Sequence, residues 1–226
     1  ITSIVKDSNN ISFVSTGSTI LALNQMIVTT QNAPIKTTVT AKALSTTYDS
    51  GKTFDIKVVD GKNNPVKDLK LTLKVFTGKT SKNYYATTND KGVASFKAST
   101  LAIGTHKVEI TSSNAAYDVK KTTSSIKISK AKTTVKAPKV TAKAKKSKYF
   151  KATVKNAATK KVVKNIKVKV KVFTGKKSKT YNLKTNSKGV AQFNVKSLKV
   201  GSHKVVISSG DAKYTISAKS TIVIKK

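Results

Sequence analysis

Cysteine, tryptophan and arginine are all missing from this chain of 226 residues, and proline occurs only 3 times. Without cysteine there is no disulfide framework, no thiolate metal site and no thiol catalysis. An extracellular setting stays open, because repeat domains of about 100 residues can stand without such staples. Without arginine, all 45 basic residues are lysines, set against 9 acids for a net charge of +36. Recognition of phosphate or guanine exploits the planar, bidentate arginine fork, whereas lysine acts as a hydrated point charge. Diffuse attraction to anions is therefore expected, and a specific nucleic-acid partner is not, the more so as aromatics make up only 6% of the chain and leave few rings to stack bases. No apolar run approaches the roughly 18 residues that span a bilayer, so no transmembrane segment is expected in this chain. No signal peptide is visible, and the chain opens on Ile1 rather than Met. It reads as a fragment or a processed form, with targeting and anchoring expected elsewhere.

What is present is alternation. Ile166 to Lys176 reads I-K-V-K-V-K-V-F-T-G-K, with Ile166, Val168, Val170 and Val172 separated by Lys167, Lys169 and Lys171. Successive side chains of a strand point to opposite faces, so this segment has one apolar face and one ammonium face. Leu69 to Lys79, L-K-L-T-L-K-V-F-T-G-K, repeats it, and Phe76 and Phe173 stand 97 positions apart. From Thr37 the whole chain reads as two copies of one unit. Lys91-Gly92-Val93-Ala94 with Phe96 matches Lys188-Gly189-Val190-Ala191 with Phe193; Gly104, His106, Lys107 and Val108 match Gly201, His203, Lys204 and Val205; Tyr117 matches Tyr214. The offset changes from 96 to 97 between Asp60 and Lys67, which places a one-residue length difference in a loop.

Turn residues punctuate each copy, giving expected strands in the first near 37–43, 53–60, 69–77, 83–88, 93–98, 105–112 and 122–129. Thr77-Gly78 reads as a turn, and Asn89 to Gly92 as a four-residue hairpin turn. Helical periodicity is absent. The expected fold is all-β: two tandem immunoglobulin-like β-sandwiches of about seven strands each, arranged end to end, over 37–130 and 131–226. The junction, Ser129 to Lys132, has none of the glycine or proline of a tether. Eight strand residues extend about 26 Å, so the pair is expected to be elongated. Residues 1–36 have no counterpart in the repeat and read as a β-rich segment, the tail of a preceding domain or docked strands. Ile11 to Val14 and Thr19 to Val28 carry its strand signal, and Asn10-Ile11-Ser12 is a glycosylation sequon.

Chemistry is sparse. His106 and His203 stand alone at equivalent positions, without the convergent ligands that a metal site needs, so a structural role is expected. Asp49, Asp55, Asp60, Asp68 and Asp90 have no acidic counterparts in the second copy. Asp60-Gly61-Lys62-Asn63 has only one carboxylate and a lysine, against calcium. No nucleophile elbow appears. No enzyme activity, metal or cofactor is expected. The candidate binding surface is the cationic strand face of the second copy, Lys167, Lys169 and Lys171, with Lys70 and Lys74 as a weaker stripe in the first, where Thr72 stands in place of Lys169. Its plain alternative is a solvated face that blunts edge pairing.

The run Thr185-Asn186-x-Lys188-Gly189-Val190-Ala191-x-Phe193, followed by Leu198, Gly201, His203, Lys204 and Val205, with Ser209-Gly210-Asp211 before Tyr214, resembles the tandem immunoglobulin-like repeats of adhesin-like cell-surface proteins. The Lys-rich wording is closest to those of methanogenic archaea, with bacterial repeats a looser match. The first copy departs at Ser113-Asn114-Ala115. The resemblance covers residues 37 to 226 and implies an extracellular, cell-surface stalk or adhesion role, with no catalytic residues. Partners in keeping with it are an anionic cell-wall polymer or the glycans of a partner cell, and the isolated chain is expected to be monomeric. Surface domains of related architecture sometimes carry a Lys–Asn amide cross-link promoted by a buried acid. Asp55, in a core strand, is the candidate acid, confined to the first copy because Lys151 replaces it in the second.

Overall fold

The structure, a computed structural model, describes residues 3–7, 10–14 and 33–226. Ile1–Ala33 and Pro34–Lys226 are separate compact units. In the first, strand β1 (Ser3–Asp7) pairs antiparallel with β2 (Asn10–Val14), which takes in the expected Ile11 to Val14. Thr19 to Val28 lies outside the described residues. Among the described residues no helix is long and apolar enough to cross a membrane.

The second unit holds two sandwiches. The first comprises β3 (Ile35–Thr40), β4 (Leu44–Thr47), β5 (Phe54–Asp60), β6 (Lys70–Thr77), β7 (Thr80–Thr87), β8 (Val93–Phe96), β9 (Gly104–Thr111), β10 (Tyr117–Asp118) and β11 (Thr122–Ser129). One sheet runs β10-β3-β5-β8 and the other β4-β11-β9-β6-β7. The second comprises β12 (Ala131–Lys136), β13 (Val140–Lys143), β14 (Tyr149–Asn156), β15 (Lys167–Thr174), β16 (Lys177–Lys184), β17 (Val190–Asn194), β18 (Gly201–Ser209), β19 (Tyr214–Thr215) and β20 (Ser217–Lys225). Its sheets, β17-β14-β12-β19 and β13-β20-β18-β15-β16, repeat the same order. This is the immunoglobulin-like arrangement, two mainly antiparallel sheets enclosing one core. Only Lys130 separates β11 from β12.

Alternation builds each core. Along β6 the side chains of Leu71, Leu73 and Val75 are buried while Lys70 and Lys74 are exposed; β15 buries Val168, Val170 and Val172 and exposes Lys167, Lys169 and Lys171. Each fully buried Leu or Val adds about 1.5–3 kcal/mol over an exposed one. Phe54 lies opposite Phe96 across β5 and β8, as Phe150 does opposite Phe193 across β14 and β17. Tyr84 and Tyr181 then close one side of each sandwich, with ring centroids 4.7 Å from Phe96 and 4.1 Å from Phe193.

Three details differ from the strand pattern expected along the chain. The first strand of each copy is two: β3 leaves its sheet and β4 crosses to the other, lying parallel to β11, as β13 does to β20. Each copy also has a two-residue strand, β10 or β19, parallel to its first strand. And Asn89 to Gly92 is not a hairpin turn, because β7 and β8 belong to different sheets. It is a corner: the Asn89 side chain accepts the Lys91 and Val93 amides at 3.0 and 3.1 Å, and the Val58 amide donates to Gly92 O at 2.8 Å. Gly92 has φ +68, and a Cβ there would lie 2.4 Å from Val58 O. Only glycine lets the corner close onto β5.

Candidate functional site

The motif that carries the family resemblance resolves into fold chemistry. Thr185 is buried and its hydroxyl accepts the Ile166 amide at 3.1 Å; Asn186 accepts the Lys188 and Val190 amides at 2.9 and 3.0 Å; Ala191 and Phe193 are core. The histidines are buried staples. His106 sets Nδ1 2.9 Å from Phe76 O and 3.1 Å from the Thr77 hydroxyl, and Nε2 2.9 Å from Ala102 O. His203 does the same with Phe173 O, Thr174 and Lys199 O at 3.2, 3.0 and 2.8 Å. Each ring thus lies between a loop carbonyl at Nε2 and a strand carbonyl with a threonine hydroxyl at Nδ1, and the nitrogen that carries the hydrogen donates to the carbonyl facing it.

Two of the scattered acids are engaged by neighbouring donors. Asp60 accepts the Lys62 and Asn64 amides at 2.9 and 2.8 Å and the Asn64 side chain at 3.1 Å, bonds that hold its carboxyl below the ordinary range. Asp55 lies in β5, but its side chain faces outward and accepts the Ser95 hydroxyl at 2.7 Å. The buried acid needed for the amide cross-link is therefore not at this position. Strand alternation puts Phe54 and Ile56 inside and Asp55 out. Among the described residues, no group of three histidines or acids is placed to hold a metal.

The lysine faces of the two sandwiches differ in a way that the strand pattern alone did not reveal. In the first, Glu109 of β9 sits opposite Lys74 and is only 14% exposed, with Lys107 at 2.8 Å and Lys121 at 2.9 Å. Hydrogen bonds from those two ammoniums hold its carboxyl down to about 2. Lys70 lies over the Tyr85 ring at 4.9 Å, and Lys74 and Lys107 lie over Phe76 at 5.4 and 5.5 Å. In the second sandwich Val206 takes the place of Glu109, and Asn182 that of Tyr85. Lys171 retains a ring, Phe173, at 5.2 Å. Lys167 and Lys169 face outward opposite Lys184 and Asn182. Among the described residues, all four ion pairs lie in the first sandwich, and from Lys132 to Lys226 there are 27 lysines against the single acid Asp211. The cationic face of the second sandwich is thus uncompensated from within.

Sequence reading also missed the joint between the sandwiches. Tyr48 and Asp49 form the turn directly after β4, fixed by the Tyr48 amide donating to Ser129 O at 2.9 Å and the Asp49 amide to Ser99 O at 2.8 Å. Across the joint, the Asn156 side-chain amide donates to Asp49 O at 3.2 Å and the Tyr214 hydroxyl to Asp49 Oδ2 at 3.3 Å. Tyr48 meets Tyr214 edge to face with centroids 5.5 Å apart, and Lys213 lies 4.8 Å over the Tyr48 ring. Tyr48 packs against both cores. Burial, and then the Asp49 carboxylate, push the Tyr214 hydroxyl well above its ordinary value, so it stays a donor. The signal was in the copies' differences, Tyr48 for Ala144, Asp49 for Lys145 and Asn156 for Asp60.

No family model matches the chain, and no curated protein matches it in sequence. Solved structures similar to it include the adhesin InvE of Yersinia pseudotuberculosis, at 14% identity and TM-score 0.37, with 81% of this chain and 58% of that one covered. Invasin, described as a bacterial integrin-binding protein, is 11% identical with TM-score 0.46 over 84% of this chain and 39% of that one. Domains A168–A170 of titin give 11% identity and TM-score 0.45 over 84% and 66%. The chain thus spans 58% of the InvE structure and 39% of the invasin structure.

Proposed function

We propose that this chain is a tandem immunoglobulin-like module of an extracellular, adhesin-like cell-surface protein, in which it sets spacing and orientation and performs no catalysis. The joint carries this reading. A single connecting residue and a dedicated set of contacts around Tyr48, Asp49, Asn156 and Tyr214 serve a chain that transmits position, and a tether of separate binding domains would not need them. The Thr185–Phe193 motif supports kinship with surface repeats of methanogenic archaea. Antibody raised against the chain should label intact, unpermeabilised source cells, and external protease should remove the label. Labelling that appears only after permeabilisation overturns the surface reading.

A second reading is favoured by the uncompensated lysines of the second sandwich: its face holds an anionic wall polymer or a glycan of a partner cell. Retention on wall material should fall steeply as salt rises, and absence of retention at low salt would leave spacing alone.

A further inference from the structure

Beside β15 the outer face of the second sandwich is not flat. Lys167 and Lys169 of β15, Asn182 and Lys184 of β16, and Gly210 of the loop after β18 line an open groove of about 540 Å³. Lys167 lies directly opposite Lys184 across the hairpin, and Lys169 opposite Asn182. Directly opposed residues are about 5 Å apart and same-face neighbours along a strand about 7 Å, so three lysines spring from one short stretch. Like charges directly opposite one another are unfavourable, and among the described residues no ion pair relieves them. The groove's far wall is fixed: the Gly210 amide donates to Lys167 O at 3.0 Å, and a Cβ on Gly210 would lie 3.1 Å from the Lys167 Cβ. Asp211, the one acid nearby, is turned to its own loop, accepting the Lys213 amide at 2.8 Å.

The first sandwich holds the control. At the matching positions it has Lys70, Thr72, Tyr85 and Thr87, and Lys70 is already laid over Tyr85. There Lys70 O receives the Ser112 hydroxyl at 2.8 Å in place of a glycine amide. One copy thus has one engaged lysine and an aromatic ring where the other has three free lysines and a carboxamide.

We propose that this groove is a binding site for a linear polymer carrying oxyanion groups at short, regular spacing, phosphate or carboxylate. Three ammoniums meet successive charges, while Asn182 donates from its amide to an intervening hydroxyl or ester oxygen. The proposal rests on the cationic-face reading and narrows it to one site. The test uses the full chain, with linear polyphosphate in one arm and polygalacturonate in the other, at low salt. The triple variant Lys169→Thr, Asn182→Tyr, Lys184→Thr installs the residues the first sandwich already tolerates at these places, and circular dichroism checks its fold. The control, Lys204→Thr with Lys219→Thr, removes two lysines of the same face away from the groove. Association in at least one arm should weaken about tenfold in the triple variant, on the scale of two exposed charge contacts, and less than twofold in the control. The Gly210 amide resonance should shift on binding to wild type. Equal losses in both variants overturn the groove and leave the cationic face standing. No association of wild type with either polymer overturns both.

Discussion

Gly92 and Gly189 stand at φ +68 and +70, with added Cβ atoms 2.4 Å from Val58 O and 2.9 Å from Val154 O respectively. Both the left-handed backbone and the close approach act against any side chain. Gly92→Ala should therefore lower stability by about 2–3 kcal/mol in denaturant titration, at the upper end of single substitutions, and Gly189→Ala somewhat less. Glu109 makes a different kind of prediction. Its folded value, about 2, lies below the ordinary 4.5, so its contribution is complete above about pH 4.5 and is lost as pH falls toward 2. The melting-temperature gap between wild type and Glu109→Gln should be constant from pH 7 to 5 and close below that. At Asn156 a one-atom exchange changes the sign of a contact: Asn156→Asp replaces a donor to Asp49 O with an anion facing a carbonyl. The cost should be about 1–3 kcal/mol, the scale of an unsatisfied polar contact, read as a lower melting transition of the full chain.

At the level of elements, strand β15 owes its place to its valines. Lysines two apart cost roughly 0.6 kcal/mol per pair in bulk water before screening. Replacing Lys167, Lys169 and Lys171 together with threonine should leave thermal stability unchanged or slightly raised, and a clear loss would mean that the lysines pack as well as repel. The period-two alternation made β5, β6, β14 and β15 readable in advance, since each has one buried and one exposed face. It could not find β4 and β10. Both are short strands held by parallel pairing to partners more than 80 positions away in the sequence, where local pattern has nothing to register. The Asn89–Gly92 corner was read as a hairpin because both connections use the same turn residues; what separates them is which sheet the next strand joins. On the candidate face the lysines of β15 were legible as a stripe, and the Lys169–Thr72 difference falls within the groove proposed above. Lys184 and Asn182 were not, because their nearness to β15 is set by the Gly175-Lys176 hairpin register, and β16 itself carries too few apolar residues to announce its inner face.

For the whole of residues 34–226, the joint predicts coupled unfolding. Wild type should melt in one calorimetric transition, and Tyr48→Ala combined with Asn156→Ala should separate it into two. Two transitions in the wild type would mean that the contacts around Asp49 guide orientation without adding stability. The joint also has a polarity. Asp49 and Lys145 occupy the same left-handed corner of their respective copies, with φ 53 and 60, yet only the first follows a tyrosine, and only the second sandwich has asparagine at the receiving position, Asn156 against Asp60. Were the two sandwiches spliced in reverse order, Ala144 would stand where Tyr48 makes its edge contact, and Asp60 would turn a carboxylate toward a main-chain carbonyl. The repeats therefore do not commute: like unlike beads keyed on one side only, they would lose the contacts that key the joint if threaded in the other order.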